Sequence, residues 1–168
     1  MNYVHNYSEI LESKREEITA WMAEKRSQVP IPIYGSVDVR DAGWKVAVVD
    51  ANHFPAGFNN VSKEDEPRLS SLLKTHIMKL YSKCQWVHLY PESHTRNAGY
   101  VENVATIQRL LIHSGFRCTI GSPELSSHGS LAGITGPVEL SNVELVILDG
   151  KEQLLVDGEK PCLILLNN

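Results

Sequence analysis

The sequence predicts an α/β fold with a mostly parallel sheet, flanking helices and a closing β-hairpin. Short runs rich in Val, Ile and Leu alternate with amphipathic stretches of helical period, as in parallel strands joined by right-handed crossovers. Asp-Gly pairs at 149–150 and 157–158 mark tight turns between the last apolar runs. The 168 residues suffice for one core, so we expect a single α/β domain over residues 1–168.

The first predicted element is a helix over residues 8–27. Ser8 is suited to cap its free amides, because a serine oxygen accepts hydrogen bonds from the first turn. Its apolar residues share one face at helical spacing: Leu11, Ile18, Trp21 and Met22. Pro30 and Pro32 then predict an extended approach or an edge strand, since proline cannot donate to a ladder.

The middle of the chain predicts alternating strands and helices. In order they are a strand at 44–50, a helix at 66–81, a strand at 86–90, a helix at 99–115 and a strand at 116–121. The strand at 44–50 is rich in β-branched residues, and we expect it to be buried on both faces. The apolar residues expected to face inward from the second of these helices are Val101, Val104, Ile107, Leu110 and Leu111, with Gly115 as its stop.

The last part of the chain predicts a loop followed by strands. Residues 122–142 are dominated by Ser, Gly and Pro without a clear period, which predicts a long loop. Loops of that length are often functional or mobile. Strands at 143–150, 152–158 and 161–168 close the chain, joined by the two Asp-Gly turns.

Charge and composition exclude several classes of protein. The net charge is −4 and the basic residues are scattered, which gives no reason to expect a nucleic-acid partner or an anionic membrane. No apolar run is long enough to span a bilayer, so we expect a soluble cytoplasmic protein. The three cysteines, Cys84, Cys118 and Cys162, are widely spaced, which favours reduced core residues over a disulfide framework or a zinc site.

Polar residues follow four of the predicted strands. The strand ends read DAN at 50–52, PESHTRN at 91–97, DG at 149–150 and NN at 167–168. Ligands of parallel α/β sheets bind outside the carboxyl ends of the strands. We therefore expect these groups to meet at one edge and to form a binding site there.

The first candidate motif is SVDVRDAGWK, residues 36–45. Asp38 and Arg40 are two residues apart, so both point to the same face of a strand, and Lys45 enters the next strand. One interpretation is an exposed ion pair of little energetic weight. The other is a carboxylate-binding site, because a guanidinium matches a carboxylate with two hydrogen bonds.

The second candidate motif is VVDANHFPAGFNN, residues 48–60. Its polar side chains can bind the ammonium and carboxylate of an amino acid: Asp50, Asn52, Asn59 and Asn60. The same residue types also serve ordinary turns, which is the alternative. Phe54 and Phe58, four residues apart around Pro55 and Gly57, favour the wall of a pocket.

The third candidate motif is PESHTRN, residues 91–97, between a strand and a helix. The first amides of that helix, together with Arg96, could hold an anion. A capping network is the alternative. Glu92 and His94 do not have the helical spacing of hydrolytic zinc sites. The chain also contains no glycine-rich phosphate loop, so it carries no recognisable ATP signature.

Three stretches resemble the N-terminal part of the bacterial glutamate–cysteine ligase of the ATP-grasp type: YGSVDVRDAGWK, VVDANHFPAGFNN and PESHTRNAGYVENVATIQRLL. The resemblance is strong over residues 34–116 and weaker at the closing LILLNN. It implies a Rossmann-like, pre-ATP-grasp domain. The implied reaction is the ATP-dependent joining of L-glutamate and L-cysteine to γ-glutamylcysteine, the first step of glutathione biosynthesis.

The resemblance also implies a set of substrate-binding residues, with no catalytic residue and no metal ligand assigned in this chain. They are Asp38, Arg40, Lys45, Asp50, Asn52, Phe54, Phe58, Asn59, Asn60, Glu92, His94, Thr95, Arg96, Asn97, Asn167 and Asn168. ATP and Mg²⁺ are implied for the full-length family, whose central and C-terminal regions supply their ligands.

The resemblance therefore implies an N-terminal fragment that lacks the ATP-grasp region and is inactive as a ligase alone. The first alternative is a stand-alone amino-acid-binding module. The second is an interaction domain that pairs through an exposed sheet edge, which leaves a homo-oligomer open.

Overall fold

The structure, a computed structural model, describes residues 3–93 and 96–167, without the side chains of residues 3–6. The chain divides into two units, Met1–His53 and Phe54–Asn168. A single domain over residues 1–168 stays a prediction. Both units combine helices with strands, which confirms the mixed α/β class. Among the helices that the structure describes, none has the length and apolar character that a membrane crossing needs.

The first unit begins with two helices, α1 (Tyr3–Ser13) and α2 (Arg15–Gln28). The prediction of one helix over residues 8–27 is wrong in detail, because Lys14 leaves helical geometry at φ −109° and ψ 12°. Ser8 lies inside α1, so its predicted capping role is also wrong. The apolar residues predicted to share one face of this helix are exposed to solvent: Leu11, Ile18, Trp21 and Met22.

The first unit ends in an antiparallel hairpin of β1 (Ser36–Asp41) and β2 (Val46–Asn52). The predicted buried strand at 44–50 is therefore wrong in both its pairing and its burial, since almost all of β2 is exposed. Only residues 42–45 connect the two strands, and a parallel pairing would need a crossover of a dozen residues or more. In this turn Gly43, at φ 79°, donates its N–H to Asp41 Oδ1 at 2.7 Å.

The second unit holds the remaining elements. In chain order they are α3 (Glu66–Leu80), β3 (Trp86–Pro91), α4 (Ala98–His113), β4 (Arg117–Ile120), β5 (Ser130–Ala132), β6 (Pro137–Glu139), β7 (Val143–Leu148), β8 (Lys151–Val156) and β9 (Leu163–Asn167). Short 3-10 turns lie at Phe58–Asn60 and Pro123–Leu125. The predicted helices and central strands of this unit are confirmed, with ends shifted by a few residues.

A parallel sheet of three strands in the order β4-β3-β9 forms the core of the second unit. Helix α4 packs against β3, β4 and α3. Its predicted inward residues are all buried, with at most 1% of each exposed: Val101, Val104, Ile107, Leu110 and Leu111. Each such side chain stabilises the fold by roughly 1.5–3 kcal/mol relative to an exposed one. Gly115 follows α4 at φ 91°, as its predicted stop requires.

Fewer strands pair in parallel than the sequence predicts. Strands β5 and β6 pair antiparallel, as do β7 and β8, and neither pair joins the three-stranded sheet. The predicted loop at 122–142 thus contains a 3-10 turn and a hairpin, whose three-residue strands are too short to show a period. The Asp149-Gly150 turn is confirmed, with φ of 51° and 71°.

The cysteines differ in exposure. Cys84 is buried, Cys118 is half-buried and Cys162 is exposed. All three are free thiols. The prediction of core residues is therefore wrong for Cys162, because the apolar run LILL that follows it enters the sheet only at Leu163.

Candidate functional site

The β1–β2 hairpin places four of the predicted ligands on one face. Asp38 lies directly opposite Asp50. Asn52 lies opposite Ser36. Residues that face each other across an antiparallel pair share a side of the sheet, and so do residues two apart on a strand. Asp38, Arg40, Asp50 and Asn52 therefore share one face, which we call the polar face of the hairpin. Its opposite face carries exposed valines: Val37, Val39, Val46 and Val48.

The charges of the polar face suit a zwitterion. Like charges directly opposite each other destabilise a strand pair, so the facing carboxylates of Asp38 and Asp50 favour a cation between them. Asp50 Oδ1 also accepts a hydrogen bond from the Ala51 N–H at 2.8 Å. Arg40 adds a guanidinium that can bind a carboxylate with two hydrogen bonds. Lys45 lies in the turn, where its carbonyl accepts from the Ala42 N–H at 3.0 Å.

In the second unit, two buried asparagines hold the turn at residues 55–58. Asn103 Oδ1 accepts hydrogen bonds from the N–H groups of Gly57 and Phe58, each at 2.9 Å. Asn103 Nδ2 donates to Asn167 Oδ1 at 3.1 Å, and Asn167 Nδ2 donates to the Pro55 carbonyl at 3.2 Å. Both side chains are buried, with 0% of Asn103 and 1% of Asn167 exposed. We call this set of hydrogen bonds the asparagine clamp.

The ends of β3 and β9 meet at one edge of the parallel sheet, as predicted for those two strands. The Tyr100 hydroxyl donates to the Asn167 carbonyl and accepts from the Glu92 N–H, the latter at 2.9 Å. The same prediction is wrong for the other two strand ends. Strand β2 pairs only with β1, and β7 only with β8, so neither belongs to this sheet.

The structure places the remaining predicted ligands as follows. Asn59, Asn60, Arg96 and Asn97 are exposed, Phe58 and Glu92 are half-buried, and 40% of Phe54 is exposed. Asn97 caps α4, because its Oδ1 accepts from the N–H groups of Gly99 at 2.9 Å and Tyr100 at 3.4 Å. The capping alternative is thus observed for this residue. His94, Thr95 and Asn168 lie outside the described residues.

Sequence reasoning missed Asn103 and Tyr100, which organise the edge of the sheet. Both fall on the apolar face of α4, among Val101, Val104 and Ile107. A polar side chain on such a face is expected to have a buried partner, since an unpaired one would be costly. Polar side chains at the helical spacing of this apolar face therefore indicate, from the sequence alone, that Asn103 and Tyr100 have buried partners.

A second polar network lies inside the parallel sheet. Trp86 Nε1 donates to Thr119 Oγ1 at 2.8 Å, and the Thr119 hydroxyl donates to His88 Nδ1 at 2.9 Å. His88 Nε2 then donates to the Gly121 carbonyl at 3.0 Å. Burial lowers the pKa of His88 below its ordinary value of 6.5, so the ring is neutral and serves the core.

No site for Mg²⁺ is recognisable among the described residues. Within residues 3–93 and 96–167, no group of at least three His, Cys, Asp or Glu side chains could hold a metal ion. The sequence has no glycine-rich loop that would hold phosphates.

The chain is thus a mixed α/β protein with a parallel three-stranded sheet and a hairpin that carries Asp38, Arg40, Asp50 and Asn52 on one face. The family model for GshA, glutamate-cysteine ligase, matches residues 8–168. This chain belongs to the glutamate–cysteine ligase family, which confirms the resemblance seen in the sequence.

One solved structure is also similar to this chain. The chain is similar, with 28% identity and a TM-score of 0.86, to a protein from Methylobacillus flagellatus KT that is assigned as a gamma-glutamylcysteine synthetase. The similarity covers 99% of this chain and 39% of that one, so this chain spans about two fifths of its length. No curated protein gives a significant match.

Proposed function

We propose that this chain is the substrate-binding part of a glutamate–cysteine ligase, which joins L-glutamate and L-cysteine to γ-glutamylcysteine at the expense of ATP. The observation that carries the proposal is the family match over residues 8–168. Because the chain spans 39% of its solved relative, the activity, substrates and partners of the whole protein are part of the proposal.

The polar face of the hairpin supports an amino-acid ligand. An α-amino acid carries an ammonium and a carboxylate a few bonds apart. The facing carboxylates of Asp38 and Asp50 suit the ammonium, while the Arg40 guanidinium suits the carboxylate. Asn52 adds an amide that can donate to one group and accept from the other. A ligase needs such a fixed head group so that the reacting atoms stay in place.

Other predicted ligands remain part of this proposal. Asn59, Asn60, Glu92 and Arg96 offer amides and charges at the surface of the second unit. The parallel β4-β3-β9 sheet with its crossover helices supports the pre-ATP-grasp, Rossmann-like assignment. We assign the nucleotide and Mg²⁺ to regions of the family outside this chain, and we propose a cytoplasmic location.

Calorimetry on the purified 168-residue chain tests the proposal. We expect saturable heat with L-glutamate, L-cysteine or γ-glutamylcysteine. Glutarate is the matched control ligand, since it keeps two carboxylates and lacks the ammonium that Asp38 and Asp50 would bind. A folded chain that gives no heat with any of the three ligands refutes the amino-acid site.

A coupled assay of ADP release tests the other half of the proposal. With ATP, L-glutamate and L-cysteine, we expect no turnover from this chain alone, because it offers no fitting nucleotide or metal ligands among its described residues. Turnover by the isolated chain would show that the assignment of the nucleotide to other regions is wrong.

A further inference from the structure

Two cysteines converge at the start of the parallel sheet. Cys84 lies just before β3, and Cys162 lies just before β9, which pairs with β3. The Cys162 N–H donates to the Trp86 carbonyl at 3.2 Å, and the Cys84 thiol donates to the same oxygen at 3.7 Å. Each thiol also affects the pKa of the other. Residues far apart in sequence are thus brought side by side by the pairing of two core strands.

The two cysteines differ in exposure and line the same surface cavity. Cys162 is exposed, whereas only 5% of Cys84 is exposed. A surface cavity of about 380 Å³ adjoins them, and its lining is Leu80, Tyr81, Ser82, Lys83, Cys84 and Cys162. A reagent in this cavity therefore meets Cys162 first, with Cys84 behind it.

The two thiols also differ in acidity, with the pKa of the exposed Cys162 lowered and the pKa of the buried Cys84 raised. The backbone N–H groups of Gln85 and Trp86 lower the pKa of Cys162. Burial raises the pKa of Cys84, and the neighbouring charge of Cys162 raises it further. The thiolate is the nucleophilic form of cysteine, so Cys162 is the one suited to attack. Cys118 serves as an internal reference, because burial raises its pKa to about 12.

We propose that Cys162 and Cys84 form a reversible thiol-modification site that reacts with small disulfides and closes to a Cys84–Cys162 disulfide. Cys162 is the attacking thiol and Cys84 the resolving thiol. The oxidant is a disulfide of low molecular mass that fits the cavity. Closure would join the chain segments that enter β3 and β9, two neighbouring strands of the core.

The reaction balances as two thiol–disulfide exchanges. First, the Cys162 thiolate attacks one sulfur of the small disulfide. That S–S bond breaks, and the other sulfur leaves as a thiolate. Second, Cys84 loses its proton to solvent and attacks the Cys162 sulfur of the mixed disulfide. A second small thiol leaves and the Sγ–Sγ bond forms. Two cysteines are oxidised, and one small disulfide is reduced to two thiols.

The test treats the full chain with 2-hydroxyethyl disulfide under native conditions, quenches it with N-ethylmaleimide and maps the digest by mass spectrometry. We expect a cross-linked Cys84–Cys162 peptide, with Cys118 left unmodified. In Cys84→Ser the mixed disulfide should persist on Cys162, because the resolving thiol is gone. In Cys162→Ser neither product should form at an appreciable rate. Cys118→Ser is the matched control and should behave like the wild type.

Two results would overturn the proposal. One is a wild-type chain in which Cys162 reacts no faster than Cys118. The other is a wild-type mixed disulfide on Cys162 that persists as long as it does in Cys84→Ser. The comparison of Cys162 with Cys118 and the search for the cross-linked peptide both use the wild-type chain. The proposal can therefore be tested even if the Cys84→Ser variant does not fold.

Discussion

Asn103, in the middle of α4, donates from its side-chain amide to the side-chain oxygen of Asn167 at the end of β9, 3.1 Å away. Both residues are buried. Their remaining amide atoms bind the backbone of residues 55–58, so one pair of side chains holds a helix, a strand and a turn together. The Asn167 side chain, a predicted substrate ligand, is thereby engaged with the protein itself.

The first prediction concerns this asparagine clamp. Asn103→Ala should lower the free energy of unfolding by about 2–4 kcal/mol, because it leaves the half-buried N–H groups of Gly57 and Phe58 and the buried side chain of Asn167 without their partner. Urea unfolding followed by circular dichroism measures the change. Gln108→Ala, on the same helix, is the control, since Gln108 makes one long hydrogen bond of 3.4 Å to the Cys118 carbonyl. Equal losses in the two variants would contradict the clamp.

The second prediction concerns the polar face of the hairpin. Arg40→Gln should weaken amino-acid binding roughly tenfold to a hundredfold, since a hydrogen bond to a charged group contributes about 1.5–3 kcal/mol. Asp38→Asn should weaken the binding of the ammonium in the same range. Calorimetry measures both, with Arg26→Gln in α2 as a control that changes net charge equally. An unchanged Kd in Arg40→Gln would remove Arg40 from the site.

The third prediction follows from the neutral His88. Because its pKa is lowered from 6.5 in the folded chain, the unfolded chain binds this proton more readily. The stability that depends on neutral His88 is therefore complete above pH 6.5 and is lost as the pH falls below it. Urea midpoints at about pH 7.5 and about pH 5.5 measure the loss.

His88→Gln should flatten that pH dependence, because glutamine does not titrate. The exposed His128 provides the control variant, His128→Gln, which should keep the wild-type slope. If His88→Gln and the wild type lose the same stability between the two pH values, another group is responsible.

The fourth prediction concerns a close backbone approach at Gly121. A Cβ atom there would lie 2.7 Å from the Ser141 carbonyl oxygen and 2.8 Å from Val143 Cγ2. Gly121→Ala should therefore destabilise the fold by roughly 1–3 kcal/mol through overpacking. Gly35→Ala is the control, because its Cβ would meet only the Asn52 carbonyl at an ordinary 3.5 Å. Thermal unfolding of the two variants should separate them clearly.

The sequence was informative where burial is decided locally. Helix α4 shows an apolar stripe from Val101 to Leu111, interrupted by Asn103, and all the apolar residues predicted to face inward from it are buried. The Asp149-Gly150 turn was predictable for a similar reason, since both residues adopt positive φ and few residue types do so readily. Such features depend on neighbours a few residues away in the chain.

The sequence was less informative where pairing is decided over long distances. The VAVVD run of β2 looks like a central parallel strand, yet it pairs with β1 through a turn of a few residues and stays exposed. Apolar runs of this length do not by themselves distinguish the two settings. Asn103 and Asn167 are 64 residues apart, and no local pattern links them.

The register of the β1–β2 hairpin has a consequence for how this family can vary in length. Val49 has no partner across the hairpin, because Val39 pairs with Val48 while Asp38 pairs with Asp50. Val49 can therefore be lost with Asp38 still opposite Asp50, whereas losing or gaining one residue between Asp50 and Asn52 would turn one of these two side chains toward the valine side. Insertions and deletions should therefore collect in the turn at 42–45 or at Val49 and be excluded between Asp50 and Asn52, which an alignment of related hairpins can check.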